Sequence, residues 1–480
     1  GGQHEPLQKT IKTEMTDNKA ITADNKHCYT NVDIMRRDRH GTATKRQMYI
    51  AYSPNINIGH HGEDIYSMEK TYIIRCIGVI IYLFAAIAKA DAVQQTVYSP
   101  QVKTLQAVVN RDWLSPPVMT LGSGDILNVA FDELSHEYHR FTYHVEHCEA
   151  DWSPSTELFE SDYLDGFNDN PIEDYQNSIN TTVLYTHYSM QLPNDRCRLK
   201  MSGNYRLTIN DEEGEKAAEV RFMVVEPLMS VSLECSTNTD IDINKSHQQI
   251  SMGLSFGPLR VTNNSEQLHV VVSQNDRDDN VRTGMKPSII TARGLEWRHC
   301  RDLIFPAGNE YHKYEILDVS HPTMGIDRIV WDGNDYNVYP FASGMRANYL
   351  YDTDANGSFY IRNSDNVEND IISEYVYVHY CLLSPPVADG RMVIDGRWTT
   401  DANAGTYAME YDEEAGAYRA AVMQKQGYYS YQYLIRKEDG TTAIPPTEGS
   451  FYQTENRYQA YVYYKGSGER TWRLVGYRQI

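Results

Sequence analysis

The chain has 480 residues, 44 of them basic and 65 acidic, for a net charge of −21. An acidic excess of this size excludes nucleic acid and anionic membrane surfaces as partners, because both repel it. It suits solubility and a partner with basic patches, and the length is that of several domains.

The first readable element is an export signal. Met68 is followed by Glu69, Lys70 and Arg75, then by an uncharged run from Cys76 to Ile87. The small-x-small triplets Ala88-Lys89-Ala90 and Ala90-Asp91-Ala92 come next. A basic start, an apolar run too short to span a bilayer and small residues at a cleavage point are the parts of a secretory signal in order. Residues 68–92 are therefore expected to be a cleaved signal peptide. Residues 1–67 are polar and aperiodic, and are expected to be a disordered upstream extension outside the fold. Residues 1–92 hold 12 basic and 10 acidic side chains, so the mature part, 32 basic against 55 acidic, carries a net −23.

Five cysteines remain in the mature part: Cys148, Cys197, Cys235, Cys300 and Cys381. They are sparse and odd in number, with no CxxC, which excludes a disulfide scaffold and a zinc framework. Two readings stay open: one bridge, with Cys148 and Cys197 as the candidate pair, or five buried small hydrophobes.

From residue 93 onward the pattern is that of short strands. Leu127, Val129 and Phe131 alternate with Asn128 and Ala130, and Phe141, Tyr143 and Val145 alternate with Thr142, His144 and Glu146. Tyr205 to Ile209, the polar turn Asp211-Glu212-Glu213-Gly214, and Ala218 to Val224 read as a hairpin. One apolar face per strand implies sheets packed face to face. Glu226-Pro227-Leu228 marks a first boundary. Leu268 to Val272, Gly325 to Trp331 and the long run Ser373 to Leu383 then give strands of a second domain, which Ser384-Pro385-Pro386 closes. Arg391 to Ile394, Tyr407 to Tyr411, Tyr418 to Val422, Tyr428 to Ile435, Tyr458 to Tyr464 and Arg473 to Gly476 give a third. The expected fold is all-β: tandem immunoglobulin-like or early-set β-sandwiches over 93–225, 226–383 and 384–480, with no transmembrane span in the mature chain.

The motifs that could carry chemistry are weak. Gly253-Leu254-Ser255-Phe256-Gly257 fits G-x-S-x-G, but a nucleophile elbow needs a helix after it on a parallel sheet, and Pro258 and Asn263-Asn264 follow instead. His144, Glu146 and Cys148 share one strand face, as metal ligands would; they also read simply as the polar face of an amphipathic strand. Gly122-Ser123-Gly124 has no helix behind it, so it is a turn. No carboxylate pair stands out as a general acid and base. No catalytic residue, metal or cofactor is expected.

Several blocks taken together carry a resemblance: His147-Cys148-Glu149-Ala150-Asp151-Trp152, Tyr163-Leu164-Asp165-Gly166-Phe167-Asn168, Ile172-Glu173-Asp174-Tyr175-Gln176-Asn177-Ser178, Tyr185-Thr186-His187-Tyr188, Ser202-Gly203-Asn204-Tyr205 and, near the end, Glu448-Gly449-Ser450-Phe451-Tyr452-Gln453-Thr454-Glu455-Asn456. In this order the mature chain resembles the type IX secretion system plug protein family. The resemblance implies a non-catalytic periplasmic protein, associated with the outer membrane, that closes the periplasmic side of the translocon barrel. It is expected to act as a monomer with that barrel as its partner. It supplies no catalytic residues and does not say which block touches the barrel. The loop from Ala150 to Ser178 is the candidate contact, through Trp152, Tyr163, Phe167 and Tyr175, because long ordered loops are commonly functional. The alternative is that its aromatic residues pin the loop to the sandwich.

The third domain also resembles the early-set sandwiches of glycogen-binding and family-48 carbohydrate-binding modules, through Met392 to Trp398 and Gly427 to Tyr433. That likeness implies an alternative role as a glycan-binding accessory protein, with Trp398 as a sugar platform.

Overall fold

The computed structural model describes residues 28–37, 43–52 and 95–480. The expected signal peptide, 68–92, lies outside them. In the upstream stretch, expected to be disordered, Cys28–Arg37 and Ala43–Tyr52 pair as an antiparallel hairpin. Everything from residue 95 is nearly all β, with three α-helices of one turn each and two 3-10 turns. Among the described residues no helix is long and apolar enough to cross a membrane.

The first sandwich forms where alternation is cleanest. One sheet runs in the order Asp174–Asn177, Thr186–Leu192, Leu127–Glu133, Val102–Val109. The other has Thr96–Val97, Lys216–Val225, Gly203–Asn210, Thr142–Cys148 and Asn170–Pro171. Leu127, Val129 and Phe131 from one sheet meet Tyr143, Val145, Leu207 and Phe222 from the other. Phe131 stacks on Tyr188 at 5.3 Å and meets Phe141 edge-on at 5.1 Å, the two geometries that ring quadrupoles favour.

The second sandwich is assembled from two distant parts of the chain. Its first sheet contains Ser230–Ser236, His247–Ser255, Gly294–Trp297 and Ile289–Thr291. Its second contains Val281–Thr283, Leu268–Gln274, Tyr458–Tyr464 and Arg473–Gln479. The third sandwich lies between these parts in sequence. Gly427–Arg436 is the centre of one of its sheets, and Tyr375–Leu383, between Tyr336–Pro340 and Ala417–Lys425, is the centre of the other.

The cut at 383/384 is therefore corrected. Tyr375–Leu383 belongs with the strands that follow it, and the last two strands return to the second sandwich. Alternation identifies a strand and its buried face; it does not name the partner, which is a long-range choice.

Two strands depart from simple alternation for one reason. Every residue of Tyr458–Tyr464 is buried. Tyr458, Ala460, Val462 and Tyr464 face the core of the second sandwich, while Tyr461 and Tyr463 face a separate cluster with Cys148, Trp152, Met223, Val225 and Leu474. That cluster is the seam between the first and second sandwiches. Phe222-Met223-Val224-Val225 reads as a continuous apolar run because the seam covers its outer face. Cys148, Cys197, Cys235, Cys300 and Cys381 are free thiols, which removes the candidate bridge. Burial pushes the Cys148 thiol up to about 12, the chemistry of a packing residue.

Candidate binding surface

The four aromatic residues singled out on the Ala150–Ser178 loop divide two and two. Trp152 is buried in the seam against the second sandwich, with the Arg221 guanidinium 5.4 Å over its ring. Its carbonyl accepts from Arg206 at 2.9 Å. Tyr163 is also buried, packed on His147 and Tyr205, and burial raises its hydroxyl to about 12. These two pin the loop and are not free to meet a partner. Phe167 is 76% exposed and Tyr175 43%. Tyr175 continues an aromatic row with Tyr138 at 4.6 Å and Tyr188 at 6.0 Å. Phe159, 74% exposed, belongs with Phe167: the Asn168 amide bonds to Glu160, which brings the two segments together. The sequence reading passed over Phe159; its only signal was an apolar residue among acidic neighbours.

Trp398 does not present a sugar platform. Its ring lies within the third sandwich, stacked on Tyr380 and edge-on to Tyr407 and Tyr429, and its indole N–H donates to the Ser430 carbonyl at 3.0 Å. A ring covered on both faces has nothing to offer a pyranose.

The weaker motifs resolve into structure. His144 bonds to Asp169 and Glu146 pairs with Arg206, while Cys148 faces the seam. Among the described residues no group of three or more His, Cys, Asp or Glu is placed to hold a metal ion. Ser255 ends an antiparallel strand, paired with Ser230 and Gly294, and Gly257 sits in a tight turn at φ +56° against the Leu228 carbonyl.

A second surface, absent from the sequence reading, is the long segment 341–358 of the third sandwich. It contains no named strand but is fixed at several points. Ser343 exchanges backbone bonds with Cys381 and Leu383. Arg346 bonds to the Glu310 carbonyl and pairs with the buried Glu448. Tyr349 donates to Glu310 at 2.6 Å, and Asp354 accepts from the Asn356 and Tyr311 amides. Between these anchors Phe341, Met345, Leu350 and Tyr351 stand 56–80% exposed. Apolar side chains held in solvent by an ordered frame make this segment a candidate interaction surface.

The anchor at Asp354 makes this segment sensitive to pH. Burial raises its carboxyl to about 7. Between the usual carboxylate value near 4 and this one, the folded chain holds a proton that the unfolded chain has released, so stability falls as pH rises through that window. Asp354→Asn is expected to remove this component of the pH dependence. Denaturation midpoints at pH 5 and about pH 8 check it; an unchanged difference between them counts against the assignment.

The sequence blocks quoted above for their resemblance lie largely at seams. Glu149 bonds to the Thr471 hydroxyl and the Trp472 amide. Asn204 accepts from the Tyr463 hydroxyl at 2.8 Å. Tyr185 donates to the Ser373 carbonyl, and Glu374 accepts from the Thr182 and Val183 amides. Ser450 donates to the Ser246 carbonyl, and Asn456 to Gln248 and the Ala307 carbonyl. Each sandwich is thereby tied to the other two.

The family model for the type 9 secretion system plug protein 1st domain matches residues 102–226. That is the first sandwich almost end to end. Residues 102–226 are a first domain of the type 9 secretion system plug protein family. This ties the chain to secretion machinery of the cell envelope and to a family without enzymatic members. The crystal structure of a hypothetical protein from Parabacteroides merdae is 36% identical, with a TM-score of 0.78. The match covers 81% of this chain and 99% of that one, so the likeness extends through all three sandwiches. A surface glycan-binding protein from the Bacteroides ovatus mixed-linkage glucan utilization locus, solved with a heptasaccharide, is 11% identical over 85% of this chain and 83% of its own, at a TM-score of 0.12. The search of curated proteins found no match.

Proposed function

We propose that this chain is a non-catalytic periplasmic protein that binds the outer-membrane translocon barrel of type IX secretion and closes its periplasmic side. The observation that carries this reading is the plug-family first domain over residues 102–226. The architecture supports it. A body that blocks a wide lumen must keep its shape under load, and three sandwiches joined pairwise by buried bonds do so better than domains on flexible linkers. The pinned segment 341–358 supplies apolar contacts that need no ordering on binding, which spares the entropic cost of immobilising a loop.

The test is affinity purification of the tagged chain from envelope extract, read by mass spectrometry. A large outer-membrane barrel is expected as the main partner; recovery of soluble periplasmic proteins alone overturns the reading. Phe341→Ser combined with Leu350→Ser is expected to lower barrel recovery at least tenfold. Both side chains are exposed, so stability should move by no more than about 0.5 kcal/mol for each.

A further inference from the structure

The structure assigns a second binding site: a cleft between the first and third sandwiches that fits a neutral oligosaccharide. This inference stands apart from the plug reading, since the cleft is separate from the exposed segment 341–351.

The cleft has a volume of about 890 Å³, within the range of small-molecule sites. Its floor is the outer face of the four-stranded sheet of the first sandwich. Strand register sets the side chains there in rows. Val108, Asn128 and Gln191 are cross-strand neighbours, and so are Gln106, Ala130, Ser189 and Asp174. Gln176 lies beside His187 in the next row. The far wall is Tyr360 with the segment 368–371, and Trp113 stands at the edge with its ring 5.6 Å from both Tyr360 and Tyr428.

These amides are partly held and partly free, as an oriented polar surface requires. Gln106 donates to the Phe359 carbonyl at 3.1 Å, across the cleft, which fixes its amide and leaves the oxygen available. Gln191 donates to Asn128 at 3.3 Å, and Ser189 to Asp174 at 2.6 Å. The Gln176 side chain has no hydrogen-bond partner among the described residues. Side-chain amides donate and accept at once, which matches the paired hydroxyls of a sugar. Carboxylates such as Asp174, Glu368 and Asp370 can only accept, which suits hydroxyl hydrogens. The indole supplies an aromatic face for the ring C–H groups.

Charge and geometry narrow the ligand class. The lining carries five carboxylates, Glu173, Asp174, Asp195, Glu368 and Asp370, against two guanidinium groups, Arg111 and Arg196, the latter occupied by Glu173 at 2.8 Å. That excess disfavours phosphate, sulfated or uronic ligands. An extended peptide seeks the unpaired backbone of a sheet edge; the floor here is a sheet face, with its backbone already paired.

The experiment is calorimetric titration of the full chain with cellohexaose, xylohexaose, maltohexaose and mannohexaose, with hexagalacturonate as the charged control and a Thr-Val repeat heptapeptide as the peptide control. At least one neutral hexaose is expected to bind. Its affinity should fall at least tenfold in Gln176→Ala/Gln191→Ala, whose positions are exposed and whose melting temperature should be unchanged. Trp113→Ala should lose binding further. The site is overturned if no neutral hexaose binds at about 1 mM, if binding survives both variants, or if hexagalacturonate or the heptapeptide binds in place of the neutral sugars.

Discussion

Lys425→Met is expected to destabilise the fold by about 3–5 kcal/mol at neutral pH, because it strands a buried carboxylate. Lys425 and Asp132 come from different sandwiches, lie 2.6 Å apart and are each 1% exposed. The ammonium also donates to the Asp370 carbonyl and sits 4.1 Å over the Tyr185 ring. Asp132 accepts from His187 at 2.7 Å and from the Tyr375 hydroxyl at 2.7 Å, and that hydroxyl bonds in turn to Thr104 at 2.6 Å. One carboxylate thus binds three side chains directly, and two of them, Lys425 and Tyr375, reach it across the seam between the first and third sandwiches. Without Lys425 it retains its desolvation and loses its neutralising charge. Lys425→Met with Asp132→Asn is expected to cost less than Lys425→Met alone, since the second change removes the stranded charge. Denaturant titration of the three variants decides it. A loss below about 1 kcal/mol for Lys425→Met shows that the seam does not depend on the pair.

The same cluster gives a pH dependence of definite sign. Burial alone would raise the Asp132 carboxyl, but Lys425 and His187 outweigh it and hold the group below the usual carboxylate range. The resulting stabilisation is fully present above the unfolded value near 4 and is lost as pH falls through the lower folded value. Burial draws the Lys425 ammonium below its usual value, and Asp132 restores only part of the difference. The attractions thus outweigh desolvation at the carboxyl, where His187 adds to Lys425, and fall short of it at the ammonium; replacing both partners is milder than removing one because no charge is left stranded.

Trp398→Ala is the second large effect. A buried tryptophan truncated to alanine costs about 3–5 kcal/mol through lost burial and the cavity left behind. The Ser430 carbonyl that accepts the indole N–H is also orphaned, which adds about 1–3 kcal/mol if no water enters. The ring has no slack around it: a Cβ at Gly396 would lie 2.6 Å from the indole nitrogen. The expected result is a large fall in the denaturation midpoint, with sugar affinity at the Trp113 cleft unchanged under conditions where the variant remains folded. A stable variant that has lost sugar binding would return Trp398 to the role of a platform.

Class and family were legible in the residues. Leu127, Val129 and Phe131 against Asn128 and Ala130 state a strand, its period and its buried face, because a pleated strand turns alternate side chains to opposite sides. The blocks from His147 to Tyr205 and from Glu448 to Asn456 carried the resemblance, and in the structure many of their side chains find their partners on another sandwich. The sites were less legible. Trp152, Tyr163, Phe167 and Tyr175 looked equivalent on one loop, and only burial separates the two that pin it from the two that face solvent. Phe159, Leu350 and the cleft amides left almost no mark, since an exposed apolar residue and a buried one are written with the same letter.

What the sequence determined by itself is local: short two-faced strands, turns at glycine and aspartate, a strongly acidic balance and a family resemblance. What only the tertiary structure decided is which strand pairs with which. The return of Tyr458–Tyr464 and Arg473–Gln479 to the second sandwich, the meeting of Asp132 with Lys425, and the opening of a cleft beside Trp113 all follow from it. Alternation is a property of neighbours along the chain. Burial, charge pairing and concavity are properties of segments hundreds of residues apart, and they come into being only when those segments pack.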